Sequence, residues 1–453
     1  MPRALWRGSK QRTAGRSGDI AKLLITCTGL YSNLSSSIAL AEALVAAGHS
    51  VSFAAPAGTL EDITAAGFRG VEIGAPQLGV RSTYLPKPPF FKSAHLRRKR
   101  MDAGAKVLAA DGFSQVLTRE NPDVVLADCE HHRAIIECLG QGAAVVLLSF
   151  MYFGAPSVMS PPLTSAAVPG RGFWGTPMGI RALWAALGMK KHLTLARARR
   201  RHWGADLATA HRALAQTRGV ALERVADLQT FQTPWGYHLP TLYLLDHAAN
   251  LPAPSVPHHH FIGAVVRRRC RPAEDDQDYG AFFDANKSAK RIYCGFGSMR
   301  QPPPGFIARL LEVARRRTAW TFLLASKSSA SDKLPDNVKQ VPWAPQFAAL
   351  ERADCAIFHG GAGTFNECLA TGTPMIVYPN ALDGKGNGAR VAYHKLGQIG
   401  RYRDSTDQIE ARIAAVLASS DTANRLNAFQ SRIAAGPSLD LIETVLRKAR
   451  ASR

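Results

Sequence analysis

Residues His359-Gly360-Gly361-Ala362-Gly363-Thr364 have the types and spacing to hold an anion. A short apolar run, Cys355–Phe358, precedes them, and a helix-like run follows to Gly372. Strand, glycine turn and helix start together aim backbone N–H groups and the positive end of a helix dipole at one point. The glycines place no side chain between that point and a ligand. A plain turn can share this pattern, so the neighbouring residues decide. Two other constellations carry possible metal chemistry. Asp276-Gln277-Asp278 has the carboxylate spacing that binds Mg²⁺ or Mn²⁺ beside phosphates, but it lies in a charged connector and not at a strand end. His258-His259-His260 sits beyond Pro254 and Pro257 and reads as an exposed connector without a second ligand cluster. No metal site is expected.

Upstream of the turn lie Trp343 and Gln346, and downstream Glu367, Pro374–Pro379, Asp383 and Asn387. Here the sequence resembles the nucleotide-sugar-dependent glycosyltransferases of GT-B fold, the group with plant secondary-product and glucuronosyl enzymes and their bacterial antibiotic and lipid counterparts. The family pattern of Trp-x-x-Gln, His-x-Gly, Glu eight residues past the His and Asp sixteen past the Glu is met by Trp343, Gln346, His359, Gly361, Glu367 and Asp383. The run from Ile292 to Met299 also looks like the family's first C-domain strand and donor loop, with Ser298 in the loop. The likeness is strong over 290–400 and weak in the N-terminal half. It implies that Trp343 stacks on the base and that Glu367 accepts from the ribose hydroxyls. It further implies that His359, Gly361, Gly363, Thr364 and Asn387 hold the diphosphate, with Ser298 and Gln346 also on the donor, and that Asp383 accepts from the sugar. Charge developing on the departing diphosphate would be stabilised there without a divalent ion or other cofactor.

Two positions depart from the family. Its usual base is a His in the first N-domain loop, paired with an Asp after a later strand. Laying residues 37–44 on the family's first helix puts Asn33 at the His position and Asp128 at the Asp position. Asn has no basic site at neutral pH. General-base catalysis contributes about 10²–10⁴-fold, so that factor needs another source. Asp128, His131 or His132 acts as base directly, or the acceptor is already acidic, or the protein binds donor without turnover. The second departure is Gly384, where the family usually carries Gln or another polar residue on the donor sugar, so the sugar stays unnamed.

The elements that must position these residues follow from short apolar runs. Residues 22–26 and 51–54 read as strands around a helix whose face is Ile38, Ala41, Leu44 and Val45, stopped at Gly48. Further strands are expected at 67–73, 123–128, 143–149, 242–245 and 260–263, with a Pro- and Gly-rich cover over 152–180 and helix from 180 to 219. In the second half, strands are expected at 292–295, 321–325, 338–341, 355–358 and 375–378, with helices over 405–450. The fold class is α/β: GT-B, two doubly wound Rossmann-like domains facing a central cleft. The expected division is a basic disordered tail (1–20), an acceptor domain (21–265), a charged linker (266–289), a nucleotide-sugar domain (290–435) and a last helix (436–453) crossing back to the first domain.

The 453 residues are 46% hydrophobic with a net charge of +22. No apolar run reaches the ~18–20 residues of a membrane span, and the basic start lacks the apolar core of a secretory signal. Seven scattered cysteines without a C-x-x-C pair fit reduced thiols, so a cytoplasmic location is expected. The cations cluster at 97–100, 197–201, 267–271 and 315–317, which suits a solvated face or an anionic membrane surface, peripheral on the inner face. No nucleic-acid module is present, so nucleic acid is not expected as a partner. The leading expectation is an inverting O-glycosyltransferase with a UDP-linked donor and a small-molecule or lipid-like acceptor. The alternatives are a catalytically weak donor-binding or auxiliary homologue and a nucleotide-sugar epimerase.

Overall fold

The computed structural model describes residues 20–75, 93–152, 154–221, 239–268, 282–283, 290–297, 301–326, 334–380 and 383–452. Its first half is a parallel sheet of β1 (Lys22–Thr26), β2 (Ser50–Ala55), β3 (Arg69–Glu72), β4 (Val124–Asp128), β5 (Val145–Ser149), β6 (Thr241–Tyr243) and β7 (His259–Phe261). Their order is β3-β2-β1-β4-β5-β6-β7. Among the described residues seven helices accompany them: α1 (Tyr31–Ala46), α2 (Leu60–Ala65), α3 (Ala94–Ala109), α4 (Phe113–Glu120), α5 (His132–Gly140), α6 (Pro177–His202) and α7 (Leu207–Thr217).

The second half repeats the plan. Strands β8 (Lys290–Gly295), β9 (Trp320–Ala325), β10 (Val338–Val341), β11 (Cys355–Phe358), β12 (Met375–Val377) and β13 (Gly397–Ile399) pair in parallel in the order β10-β9-β8-β11-β12-β13. The helices here are α8 (Pro304–Arg316), α9 (Gln346–Arg352), α10 (Ala362–Thr371), α11 (Gly384–Tyr393), α12 (Thr406–Leu417), α13 (Ser420–Ala434) and α14 (Leu439–Ala451).

Strands this apolar, such as Val124–Asp128 and Cys355–Phe358, have no solvated face, which is what a parallel sheet covered on both sides requires. Side chains alternate between the two cores. Leu23 and Ile25 face one cluster and Leu24 the other. The first core also takes Ile442, Val445, Leu446 and Ala449, so α14 packs on the first sheet although it ends the chain. Its start is tied there by the Ser438 N–H donating to Ile262 O at 2.8 Å.

The face of α1 differs from the expected one in one residue. Leu34, Ile38, Ala41 and Leu44 are buried, and Val45 is exposed. At 100° per residue Val45 falls between Leu34 and Ile38, so its exposure comes from its place in the last turn and not from its angle; Leu40 and Ser37 extend the buried stripe on its other side. Chain order reverses beside β1 and beside β8 in the two sheets. Crevices for ligands form beyond the carboxyl ends of the strands at such points. One crevice has β1 and β4 as walls, and the other β8 and β11.

Candidate functional site

At the second crevice, β11 runs into the glycine turn and then α10. Gly360 takes φ +90°, and a Cβ there would lie 2.6 Å from the Gly384 carbonyl oxygen, so the turn can pass α11 only as glycine. The His359 ring fills the slot between Gly297 and Gly361, where a Cβ on either would come within 2.8 Å of the ring. Burial holds its pKa below the usual value, so the ring is neutral at pH 7. Gly361 caps α10 and has no side chain to satisfy its first turn; the Ala362 N–H turns to Asp383, and those of Gly363 and Thr364 are left to the crevice.

Asp383 stands at the start of α11. Burial raises its pKa, while the Asn387 amide, its own backbone and the Ala362 N–H pull it back towards the carboxylate. Asn387 is fully buried; its Nδ2 donates to Gly360 O at 2.7 Å and to Asp383 Oδ2 at 2.8 Å. Its amide therefore braces the turn from behind.

One turn further along α10, Gln346 donates through Nε2 to Thr364 Oγ1 at 3.1 Å and to Glu367 Oε2. Tyr293 on β8 donates to Gln346 Oε1 at 3.1 Å. Burial pushes Glu367 up to about 7, partly offset by the Gln346 hydrogen bond. Trp343 is half-buried three residues before Gln346. Gln346, Thr364 and Glu367 thus belong to one edge of the crevice, with Trp343 in the chain just before them, and His359, Gly361, Gly363, Asp383 and Asn387 belong to the turn. Ser298 and the Asp276–Asp278 pair lie outside the described residues, as does most of the expected connector.

The first crevice is built from side chains. Asp128, at the end of β4, has no exposed surface. Its Oδ2 accepts from Thr28 Oγ1 at 2.8 Å and Asn33 Nδ2 at 3.0 Å, and its Oδ1 accepts from the Glu130 N–H at 3.0 Å. Burial raises its pKa and these donors lower it. Asn33 stands in the first turn of α1, half-buried, between the carboxylate and the cleft. The two histidines point elsewhere. His131 contacts Thr26 Oγ1 through Nδ1 at 3.2 Å and receives Arg133 Nε at Nε2 (3.4 Å); burial and Arg133 lower its pKa to about 3. His132 lies edge-on to His211 of α7, with a pKa lowered to about 4 by burial. Neither is free to take a proton in the cleft.

The two crevices face each other. A Cβ on Gly363, in the first turn of α10, would lie 3.3 Å from Ser32 Cβ, in the first turn of α1. Residues unremarked in the sequence hold this approach. Tyr152 donates to Asn366 Oδ1 at 3.2 Å, and the Arg390 guanidinium lies 4.5 Å over the Tyr152 ring. Arg390 also donates to Asn250 Oδ1 at 2.6 Å, and the Gly386 N–H donates to Leu163 O at 2.8 Å. The Pro- and Gly-rich stretch after β5 therefore rests on α10 and α11. An isolated Tyr or Arg gives no spacing signal for such a contact.

Residues 321–442 match the model of the C-terminal domain of erythromycin biosynthesis protein CIII-like proteins. The solved glycosyltransferase of kitacinnamycin superposes over 95% of this chain and 100% of its own, with a TM-score of 0.67 at 20% identity. The chain has the GT-B fold. A spinosyn rhamnosyltransferase solved with thymidine diphosphate shares it, with a TM-score of 0.60 at 17% identity over 93% of this chain and 99% of its own. Among sequences, oleandomycin glycosyltransferase of Streptomyces antibioticus is 29% identical over 181 residues, 38% of this chain and 40% of that protein. The matched stretch thus spans about two fifths of that relative's length. Residues 321–442, the stretch with the family match, carry the glycine turn.

Proposed function

We propose that this GT-B protein is an inverting, metal-independent glycosyltransferase that moves a sugar from a nucleoside-diphosphate donor to a small-molecule acceptor. The observation that carries the reading is the opposition of two helix starts, with Gly363 against Ser32, at the two points where strand order reverses. A diphosphate at the α10 start meets free N–H groups and the helix dipole, and His359 supplies a neutral donor. The base stacks on Trp343 and the ribose diol donates to Glu367. Asp383 accepts from sugar hydroxyls. A UDP-linked donor is the first choice, and its thymidine counterpart the second, because a rhamnosyltransferase of this fold holds thymidine diphosphate.

The acceptor approaches from the α1 side, opposite the leaving diphosphate. Its oxygen forms the bond to the anomeric carbon as the bond to the β-phosphate oxygen breaks, a single displacement that inverts the centre. Asp128 is sealed behind Asn33 and acts through it: accepting one Nδ2 hydrogen fixes the amide, so that Asn33 holds the attacking group. We therefore favour an acceptor with an acidic hydroxyl, a phenol or carboxyl class, which reaches the site ionised and gives its proton to solvent beforehand. The second reading, a donor-binding homologue without turnover, rests on the same Asn33. A reducing, cytoplasmic setting agrees with six described cysteines that are buried and unpaired.

Calorimetry with UDP, thymidine diphosphate and their sugars tests donor binding, with micromolar association to at least one expected. No association with any of them overturns the proposal. Steady release of nucleoside diphosphate with a phenolic acceptor, and none without turnover of sugar, separates the enzyme from the silent homologue.

A further inference from the structure

Helix α6 carries none of the site residues named above and has an exposed surface of its own. Its inward side packs through Trp184, whose Nε1 donates to Ser160 O at 2.9 Å, and through buried Ile180 and Ala198. The outward side is apolar. Met178, Ala182, Ala185, Met189, Leu193 and Ala196 are all exposed and repeat at helical spacing. At 100° per residue they fall within an arc of about 80°. Met178 is 67% exposed, Met189 63% and Leu193 50%. Just ahead of the helix, Phe173 and Trp174 are each 54% exposed and packed edge to face.

Cations border the stripe. Arg181 lies along one edge and Lys190, Arg197 and Arg201 along the other, and Arg200, at the angle of Ala182, ends the stripe one turn past Ala196; all are exposed. Residues 177–202 contain no Asp or Glu at all. An exposed apolar stripe costs solubility unless something covers it, and the borders say what would fit. A second copy of the helix would bring cations against cations. A nucleic acid would leave the apolar stripe in water. An anionic bilayer takes both, because the apolar arc sinks to the acyl boundary while the long cationic side chains reach lipid phosphates. An aromatic pair at the helix start suits the same depth, since indole and phenyl rings collect at the headgroup level.

We infer that α6, with Phe173 and Trp174 at its head, is a docking surface for an anionic lipid membrane on which the protein lies peripherally. This stands independently of the glycosyl-transfer reading: it concerns a face on which the donor residues do not lie. It adds that an acceptor dissolved in, or delivered from, a lipid phase is within reach of the enzyme.

Sedimentation of the full chain with vesicles of phosphatidylcholine alone, or mixed with phosphatidylglycerol, tests it. The chain is expected to partition onto the mixed vesicles and not the neutral ones, and to lose at least about tenfold in partition when salt rises from about 0.1 to about 0.5 M. Trp174 fluorescence should shift to the blue on binding, a shift absent in Trp174→Phe. Met189→Glu with Leu193→Glu should cut partition at least about tenfold with unchanged circular dichroism and melting. Arg181→Gln with Lys190→Gln and Arg197→Gln should do so while leaving the apolar stripe intact. Equal binding to neutral vesicles, or retention by Met189→Glu/Leu193→Glu, overturns the inference. So does a dimer that this variant dissolves in the absence of vesicle binding. Binding of an acidic amphipathic peptide without vesicle binding overturns it in favour of a protein partner.

Discussion

The two crevices occupy the same topological place and are furnished in opposite ways. Beside β8 and β11 the chain has stripped side chains away. Gly360, Gly361 and Gly363 leave backbone N–H groups facing a point, and Asn387 braces the turn from behind. Beside β1 and β4 it has done the reverse, locking Asp128 with three donors and holding Asn33 in front. Backbone donors suit a ligand that is always anionic and always the same shape. Side chains suit a partner whose position must be tuned and whose proton must be managed. The difference teaches that the fold supplies a crevice twice, and that the residues lining each decide whether it grips charge or orients a nucleophile.

The sharpest way to break the comparison is to make the donor turn carry side chains. Gly360→Ala forces a left-handed residue into contact with the Gly384 carbonyl, 2.6 Å from the new Cβ. Stability should fall by roughly 3 kcal/mol and donor affinity by at least about 100-fold. Thermal unfolding and donor calorimetry measure the two losses. Unchanged donor affinity would mean that the turn is not the anion site.

The acceptor side is expected to respond next. Asp128→Asn should lower turnover about 100-fold while donor affinity stays near that of the unmodified protein, because Asn33 loses the partner that orients it. Asn33→His goes the other way. It places a ring with a basic nitrogen beside Asp128, the arrangement the family usually carries. Turnover with a neutral alcohol acceptor should rise by about 10²–10⁴-fold. Steady-state release of nucleoside diphosphate reads both. If Asn33→His gains nothing, the proton has another route and the contrast between the crevices is weaker than drawn here.

Much of the glycine-turn crevice was readable in the sequence because its signals are local. Cys355–Phe358 is a four-residue apolar run that cannot be a helix, and the glycine turn, Thr364 and Glu367 follow at fixed spacing on one short helix. The acceptor side was readable only as far as Asn33 and Asp128. That Thr28 joins them, and that His131 turns away towards Thr26, depends on contacts about a hundred residues apart. Tyr293, Tyr152 and Arg390 gave no signal, since each sits in or beside an element for reasons of packing; Tyr293 meets Gln346 within the second half, and Tyr152 and Arg390 meet their partners only once both halves have assembled. The outward stripe of α6 was hidden differently: half of its apolar residues are Ala, which any helix favours.

Glu367 allows a smaller test of the donor side through pH. Its ordinary value of 4.5 is raised to about 7 in the fold, so the folded chain holds a proton there that the unfolded chain releases. The stabilising contribution is complete below about 4.5 and is lost as pH rises through about 7. Ribose hydroxyls donate to the carboxylate, so donor affinity should move oppositely, rising by roughly tenfold between pH 6 and pH 8 and flattening above that. Glu367→Gln should lower donor affinity about tenfold at pH 8, remove the pH slope and melt higher than the parent there. Calorimetry across this range decides. A slope that persists in Glu367→Gln assigns the titration to another group.

The smallest expected effect concerns what keeps the two crevices opposed. Arg432 of α13 forms a paired hydrogen bond with Asp246 beyond β6, at 3.0 and 2.9 Å, but its side chain is half in water. Solvent screens that attraction, and Asp246 also accepts from the Ala248 N–H at 2.9 Å, so the carboxylate is not stranded when the arginine goes. Arg390, by contrast, is wholly buried on Tyr152 and Asn250. If packing around Arg390 fixes the opposition, Arg432→Ala should cost only about 1 kcal/mol in unfolding, more at low salt than at high, with turnover changed less than about twofold. A fall in turnover beyond about tenfold without loss of donor binding would show instead that the exposed ion pair sets the distance between the helix starts.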